Sequence, residues 1–166
     1  MKNYSLQAEN CVIELTEEDI PSVLELYRTN MEYFSLTGES PDEDTVKSDM
    51  TELPEGKSKK DKHFLGFFRV GRLEGVLDIL EGYPDADTVY IGLLMTDGRK
   101  HRQGTGTAIM RYADAYFFQN KYKKVRLAVI KENRIAFDFW KSLGFDFTGE
   151  EKRWRNTAVC IMEKEI

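Results

Sequence analysis

Three strand-like stretches follow one another between His63 and Met95: HFLGFFRV, GVLDIL and TVYIGLLM. Each is rich in aromatic, β-branched or aliphatic residues, and GRLEG and EGYPDAD between them carry turn chemistry, so the economical reading is three consecutive antiparallel strands. The pattern then changes. After Met95 come a loop, an apolar stripe of Ile109, Ala113, Tyr116 and Phe117 that predicts a helix from about Gly106 to Asn120, and the apolar strand KVRLAVI. Strand, helix and strand in that order form a crossover, which is right-handed and leaves its two strands parallel or nearly so. A meander running into such a crossover requires a mixed sheet.

The segments on either side fit that frame. CVIEL reads as a strand, and Thr16 then caps a helix in which Ile20, Val23, Leu24, Tyr27 and Met31 recur at three and four residues. Ser40, Pro41 and Glu43 form a capping-box start with Pro at the first helical position, followed by Val46, Met50 and Leu53 as a second stripe. LPEGKSKKDK ends it as a solvated loop. Later, ENRIAFDFWKSLGF opens on Asn133, places Ala136, Phe139, Trp140 and Leu143 at helical spacing and closes on Gly144. FDFTGEEKRW and RNTAVCIMEKEI finish the chain as an antiparallel pair. The expected class is α+β, a mixed sheet with helices on both faces. With 166 residues, no internal repeat and no linker, one domain over 1–166 is expected.

Charge narrows the function classes. The net charge of −5 gives no electrostatic footprint for nucleic acid. No run approaches the ~18 apolar residues of a membrane span, and the opening MKNYSLQAENCVIEL lacks a signal peptide's apolar stretch, so a cytoplasmic location is expected. Cys11 and Cys160 lie in strand-like segments without a CxxC or Cys/His neighbour, which makes them buried thiols rather than metal or redox groups. The charge is uneven: Met31 to Gly56 is strongly acidic, and Asp97 to Lys124 is basic.

The basic stretch holds the loop DGRKHRQGTGTAI, which joins a strand end at Thr96 to a helix start. The first N–H groups of a helix lack intrahelical partners and carry the positive end of its dipole. Gly104 and Gly106 let an oxyanion reach that backbone, and Arg102 adds fixed charge, so a pyrophosphate is the natural guest. A Walker loop is excluded by the missing Gly-Lys-Ser/Thr ending. The Rossmann fingerprint fails on Ile109, where its third glycine belongs, and on the loop's position after four strands.

Taken together, RQGTGTAI and ENRIAFDFWKSLGF resemble the GNAT superfamily of acyl-CoA-dependent N-acyltransferases, and the resemblance covers nearly the whole chain. It implies a GNAT-like, mostly antiparallel sheet of about six to seven strands with a splayed parallel pair. The family's loop pattern opens on Gln or Arg; here that position is His101, with Arg102 beside it. The resemblance further implies acetyl-CoA as cosubstrate. Its pantetheine would enter between the strand ending at Thr96 and KVRLAVI, bonding near Leu94, Met95 and Thr96. Its diphosphate would rest on Arg102, Gln103, Gly104, Thr105, Gly106 and Thr107. Asn133 would face the pantetheine, although it serves equally as a helix N-cap. Where the family commonly places a Tyr acid, four residues before the glycine of LGF, this chain has Trp140. Indole gives up no proton near neutral pH, so with Phe139 it reads as packing at the thioester end.

Acyl transfer to an amine needs a base, because an alkylammonium is charged at neutral pH, and it needs donors for the oxyanion of the tetrahedral species. Asp78, Glu81 and Tyr90 are the candidates for proton transfer, each on a strand expected to border the acceptor, and each alone also reads as a surface residue. Tyr112 is a further candidate acid. The acidic stretch MEYFSLTGESPDED falls where the family builds its acceptor wall and would attract a cationic amine. Two functions of different class follow: an N-acetyltransferase acting by direct amine attack, or a non-catalytic acyl-CoA-binding module. A nucleotide-binding protein is a third. A homodimer is the expectation from the prevalence of dimers.

Overall fold

The computed structural model describes residues 10–166; the opening stretch read above for a signal peptide lies, up to residue 9, outside them. Among the described residues seven strands form one sheet: β1 (Asn10–Glu14), β2 (Lys62–Arg69), β3 (Arg72–Glu81), β4 (Thr88–Thr96), β5 (Lys124–Ile130), β6 (Asp146–Trp154) and β7 (Thr157–Glu165), in the order β1-β2-β3-β4-β5-β7-β6. The expected meander is β2-β3-β4, antiparallel throughout, and β4 and β5 make the one parallel pair. The closing pair β6 and β7 is antiparallel as expected, with β7 inserted between β5 and β6.

Helices cover both faces. On one face α4 (Thr105–Ala113) and α5 (Arg134–Ser142) bury Ile109, Met110 and Trp140 against Leu77, Ile79, Ile91 and Leu127. On the other, α1 (Ile20–Arg28), α2 (Met31–Thr37) and α3 (Glu43–Thr51) bury Val23, Tyr27, Phe34 and Val46 against Phe64, Val76 and Met95. Among the described residues no helix is long and apolar enough to cross a membrane. Cys160 is buried, Cys11 is half-buried, and both are free thiols.

The helices depart from the sequence expectation at several ends, each for a local reason. Thr16 heads a single 3-10 turn, Glu17–Asp19, before α1 begins. The continuous helix expected from Ile20 to Met31 is cut at Thr29 and Asn30. There Thr29 Oγ1 donates to the Leu26 carbonyl at 2.7 Å, and Asn30 Nδ2 donates to the same oxygen at 3.1 Å, so side chains take over backbone bonding and end the helix. α3 starts two residues later than the Ser40–Pro41 signal implies. Asp42 is its cap, with Oδ1 accepting from Thr45 N at 2.9 Å while Thr45 Oγ1 accepts from Asp42 N at 3.2 Å. The helix after the glycine loop begins at Thr105 and passes into a π turn, Asp114–Phe118, so it ends at Phe118 rather than Asn120, and Tyr116 of the expected stripe is exposed.

A buried polar pair ties α1 to α3. Tyr27 is fully buried and its Oη donates to Asp49 Oδ2 at 2.7 Å. Burial pushes the Asp49 carboxyl above its ordinary range, and the Tyr27 hydrogen bond opposes that rise. Tyr27→Phe keeps the ring and removes the donor, leaving a buried carboxylate short of a partner. The expected loss is about 1–3 kcal/mol of unfolding free energy in a urea titration.

Candidate active site

The site begins where two strands part. Pairing of β4 with β5 runs from Thr88 opposite Lys124 to Ile91 opposite Leu127 and stops there, although β4 continues to Thr96 and β5 to Ile130. The register of β3 against β4 skips one residue at the same place: Asp78 pairs with Leu93, and Ile79 with Ile91. Gly92 is the extra residue of a β-bulge, which bends its strand and increases the local twist. The splay between β4 and β5 is thus built into the hydrogen-bond register.

Beyond β4 the chain is held at several points. Thr96 O accepts from Asn30 Nδ2 at 2.9 Å, and Gly98 N donates to Thr29 Oγ1 at 2.8 Å. Asp97 caps the short turn Gly98–Lys100 by accepting from Arg99 N at 3.0 Å. The Arg99 guanidinium, 2.8 Å from Asp97 Oδ2, holds that carboxyl down to about 2. Lys100 Nζ reaches Glu74 Oε1 on β3 at 2.6 Å. The base of the loop is therefore fastened both to the α1–α2 junction and to the sheet.

The loop then turns into α4 through left-handed backbone, with φ of 65° at Arg102 and 80° at Gly104. Gly104 is the N-cap and carries no side chain to bond the first turn. The first intrahelical bond is Ala108 N to Gly104 O, so the N–H groups of Thr105, Gly106 and Thr107 lack intrahelical partners at the positive end of the dipole. This is an anion cradle.

α5 forms the opposite wall. Asn133 Oδ1 accepts from Ala136 N at 3.1 Å, so the expected cap is made. Trp140 is 7% exposed, and its ring meets Phe139 at 5.0 Å and Phe145 at 5.2 Å, both edge to face. Such aromatic pairing accounts for its position in the core.

Between these walls lies a groove of about 1330 Å³. Leu94, Met95 and Thr96 line it from β4; His101, Arg102, Gly104, Thr105, Gly106 and Thr107 from the loop; Asn133, Phe139 and Trp140 from α5. Of the cofactor residues expected from sequence, Gln103 alone is not among the lining residues. Arg28, Lys100, Arg102 and Arg134 line it together with the carboxylates Glu32, Glu132 and Asp138, and of these Arg102 belongs to the loop that makes the cradle.

The three proton-transfer candidates are not brought together. Glu81 sits at the end of β3, 3.6 Å from His63 Nε2, and its charge helps burial push the Tyr122 hydroxyl up. Tyr90 packs edge to face on Tyr83 at 5.5 Å, with burial pushing its hydroxyl up. Asp78 is buried and ion-paired to Lys62 Nζ at 2.9 Å. None of the three lines the groove. Tyr112 does not line it either; its ring stacks on Tyr116 at 4.5 Å.

Sequence reasoning missed the α1–α2 junction, which brings Arg28, Thr29 and Asn30 to the groove; Tyr33 beside them belongs to the stretch expected as the acceptor wall. Burial pushes the Tyr33 hydroxyl up to about 12, so it stays protonated and able to donate across neutral pH. Thr29 and Asn30, two residues whose side chains compete for backbone bonds, are the signal that exposes this break.

Known proteins share this architecture. An acetyltransferase from Thermus thermophilus superposes with a TM-score of 0.75 at 20% identity, over 96% of this chain and 98% of that one. The ribosomal-protein-S18-alanine N-acetyltransferase from Escherichia coli gives 0.68 at 17% identity, over 95% and 94%. The PaiA N-acetyltransferase from Thermoplasma acidophilum, solved in complex with coenzyme A, gives 0.67 at 20% identity, over 96% and 100%. Curated protein sequences give no significant match. The family model described as the acetyltransferase (GNAT) family matches residues 21–145, which span the α1–α2 junction, the parting strands, the anion cradle and α5. The chain belongs to the acetyltransferase (GNAT) family.

Proposed function

We propose that this chain, acting as one transferase domain, moves an acetyl group from acetyl-CoA to a primary amine. The observation that carries the reading is the continuity of the groove. The splay that starts beyond Ile91 leads past Leu94, Met95 and Thr96 directly into the uncapped N-terminus of α4. A pantetheine arm fits the gap between β4 and β5, and the diphosphate fits the N–H groups of Thr105 to Thr107 with Arg102 beside them. His101 and Gln103 complete the loop.

Direct attack of the amine on the thioester is favoured, since neither Cys11 nor Cys160 lines the groove to form an acyl-enzyme. Holding amine and thioester together supplies much of the rate. Unpaired β4 backbone beyond Ile91 offers N–H donors to the oxyanion. Tyr33 lines the groove and stays protonated at neutral pH, which supports it as the hydrogen-bond donor to the departing thiolate; Trp140, packed against Phe139 and Phe145, can supply no proton there.

The acidic α2–α3 stretch favours a cationic acceptor, and a homodimer remains the expected assembly. The name of the E. coli neighbour specifies an alanine of a ribosomal protein, so peptide amines belong in the acceptor panel beside small amines. The second reading, a non-catalytic acyl-CoA-binding module, is favoured by Trp140 standing where the resemblance implies a Tyr acid.

The experiment pairs a thermal-shift titration with a transfer assay. Acetyl-CoA raises the melting temperature in a concentration-dependent way, as a ligand specific for the folded state must. ATP and NAD do not, and the chain acetylates at least one amine of a broad panel. Stabilisation by acetyl-CoA without transfer to any amine selects the binding module, and a shift with ATP or NAD alone rejects both readings.

A further inference from the structure

Among the described residues, one buried side-chain polar atom has no hydrogen-bond partner: Asp78 Oδ1. A carboxylate oxygen shut away from water and unpaired is costly, and native structures seldom leave one without a use. Its sister Oδ2 accepts from Lys62 Nζ at 2.9 Å. The side chain is 8% exposed as a residue, so few solvent contacts reach it.

Where this carboxylate lies gives it a use. A Cβ on Gly92 would stand 3.1 Å from the Asp78 carboxyl carbon and overlap Oδ2. The carboxylate therefore fills the space that a β4 side chain would take at position 92. Gly92 is the bulge residue and the first beyond the last β4–β5 pair, so the carboxylate lies against the stretch of β4 where the opening begins, just behind the groove-lining Leu94 and Met95. Asp78 is carried by β3, yet its charge is delivered to β4 where the splay begins. Its charged neighbours include Asp49 of α3 and Glu52 just beyond that helix, so it points to the face covered by α1 to α3.

We propose that Asp78, behind Gly92 where the β4–β5 opening begins, is the base that accepts the proton of the acceptor amine, an assignment that rests on the acetyltransferase reading. Because Asp78 lies behind the groove wall rather than in it, an alkylammonium gives one N–H proton to Asp78 through an intervening water, and the freed lone pair forms the N–C bond to the thioester carbonyl. The C–S bond breaks, the second N–H proton leaves with the thiolate as the thiol, and Asp78 returns its proton to solvent. Gly92 permits the arrangement, because any side chain there would displace the carboxylate.

The charged and titratable groups that face Asp78 are Lys62 from β2, Tyr27 from α1, Asp49 from α3 with Glu52 just beyond its end, and Tyr90 from β4. Burial raises the Asp78 carboxyl to about 6, with Asp49 and Glu52 adding to the rise and Lys62 opposing it. The carboxylate is therefore ionised at neutral pH and close enough in strength to hold a proton in passing.

The test uses the amine that the full chain acetylates fastest. Asp78→Asn lowers kcat/KM by about 100-fold or more, the usual range for loss of a base, while acetyl-CoA affinity stays within about twofold. The loss shrinks with a weakly basic amine that is already neutral at the assay pH. Lys62→Met keeps the carboxylate and removes its cation, so the acidic limb of kcat/KM against pH moves to higher pH. Both variants unaltered in rate and pH profile, in a chain that transfers acetyl groups, overturn this assignment alone. An Asp78→Asn loss equal for neutral and charged amines, with an unmoved limb in Lys62→Met, also overturns it and leaves a structural role. No transfer by the unaltered chain overturns the acetyltransferase reading and this assignment with it.

Discussion

Gly106→Val weakens acetyl-CoA binding by about 100-fold and leaves the melting temperature of the free protein within a few degrees. Position 106 lies in the first turn of α4, where a Cβ would already stand 3.1 Å from Phe139 Cζ and 3.4 Å from Cε2. The added isopropyl group intrudes between α4 and α5 at the groove, so either Phe139 moves into the groove or the helix start lifts away from it. Charge-assisted hydrogen bonds are worth ~1.5–3 kcal/mol each, and losing the Gly106 N–H contact plus local crowding gives roughly 3 kcal/mol, or about 100-fold. Isothermal titration measures the affinity, and circular dichroism melting the fold. Gly104 gives a useful contrast. A Cβ there meets nothing within 4 Å, so a substitution acts through the strained φ of 80° rather than through a clash.

Gly98→Ala unfolds roughly 10 °C earlier than the unaltered chain, an expected loss of about 3 kcal/mol. The new Cβ would overlap the Thr29 carbonyl oxygen and stand 2.8 Å from its carbon. That obstacle is backbone, so no rotamer change relieves it. The loop must retreat, and retreat breaks the Gly98 N to Thr29 Oγ1 bond and strains the Asn30 to Thr96 bond. Because the same bonds fasten the loop to the groove wall, KM for acetyl-CoA rises along with the loss of stability. A normal melting temperature with normal KM refutes the account of this contact.

Most of the sheet is legible in the sequence because its signals are local. Turn chemistry between HFLGFFRV, GVLDIL and TVYIGLLM fixes the antiparallel meander, and the helix before KVRLAVI fixes the parallel pair. The anion cradle is readable for the same reason, as two glycines and an arginine sit at a strand–helix junction. The α1–α2 break is not, since a 3.6-residue apolar stripe continues across it from Tyr27 to Met31 and hides the competing side-chain bonds of Thr29 and Asn30. Proton transfer is harder still. Strand membership alone singles out Asp78, Glu81 and Tyr90, and spacing cannot tell which side chain turns toward the opening and which toward His63 or Tyr83.

Ile91 belongs to the core under α4 and α5, whereas Met95 belongs to the core under α1 to α3. Residues four apart on a regular strand share a face, so the single extra residue at Gly92 has exchanged inside for outside halfway along β4. The strand therefore has a parity. Leu94, three residues beyond Ile91, would face away from it on a regular strand; the bulge returns it to the same core, where it also reaches the groove. Loss or gain of one residue in this interval would reverse every side chain beyond it, so length here is under stricter physical control than residue identity.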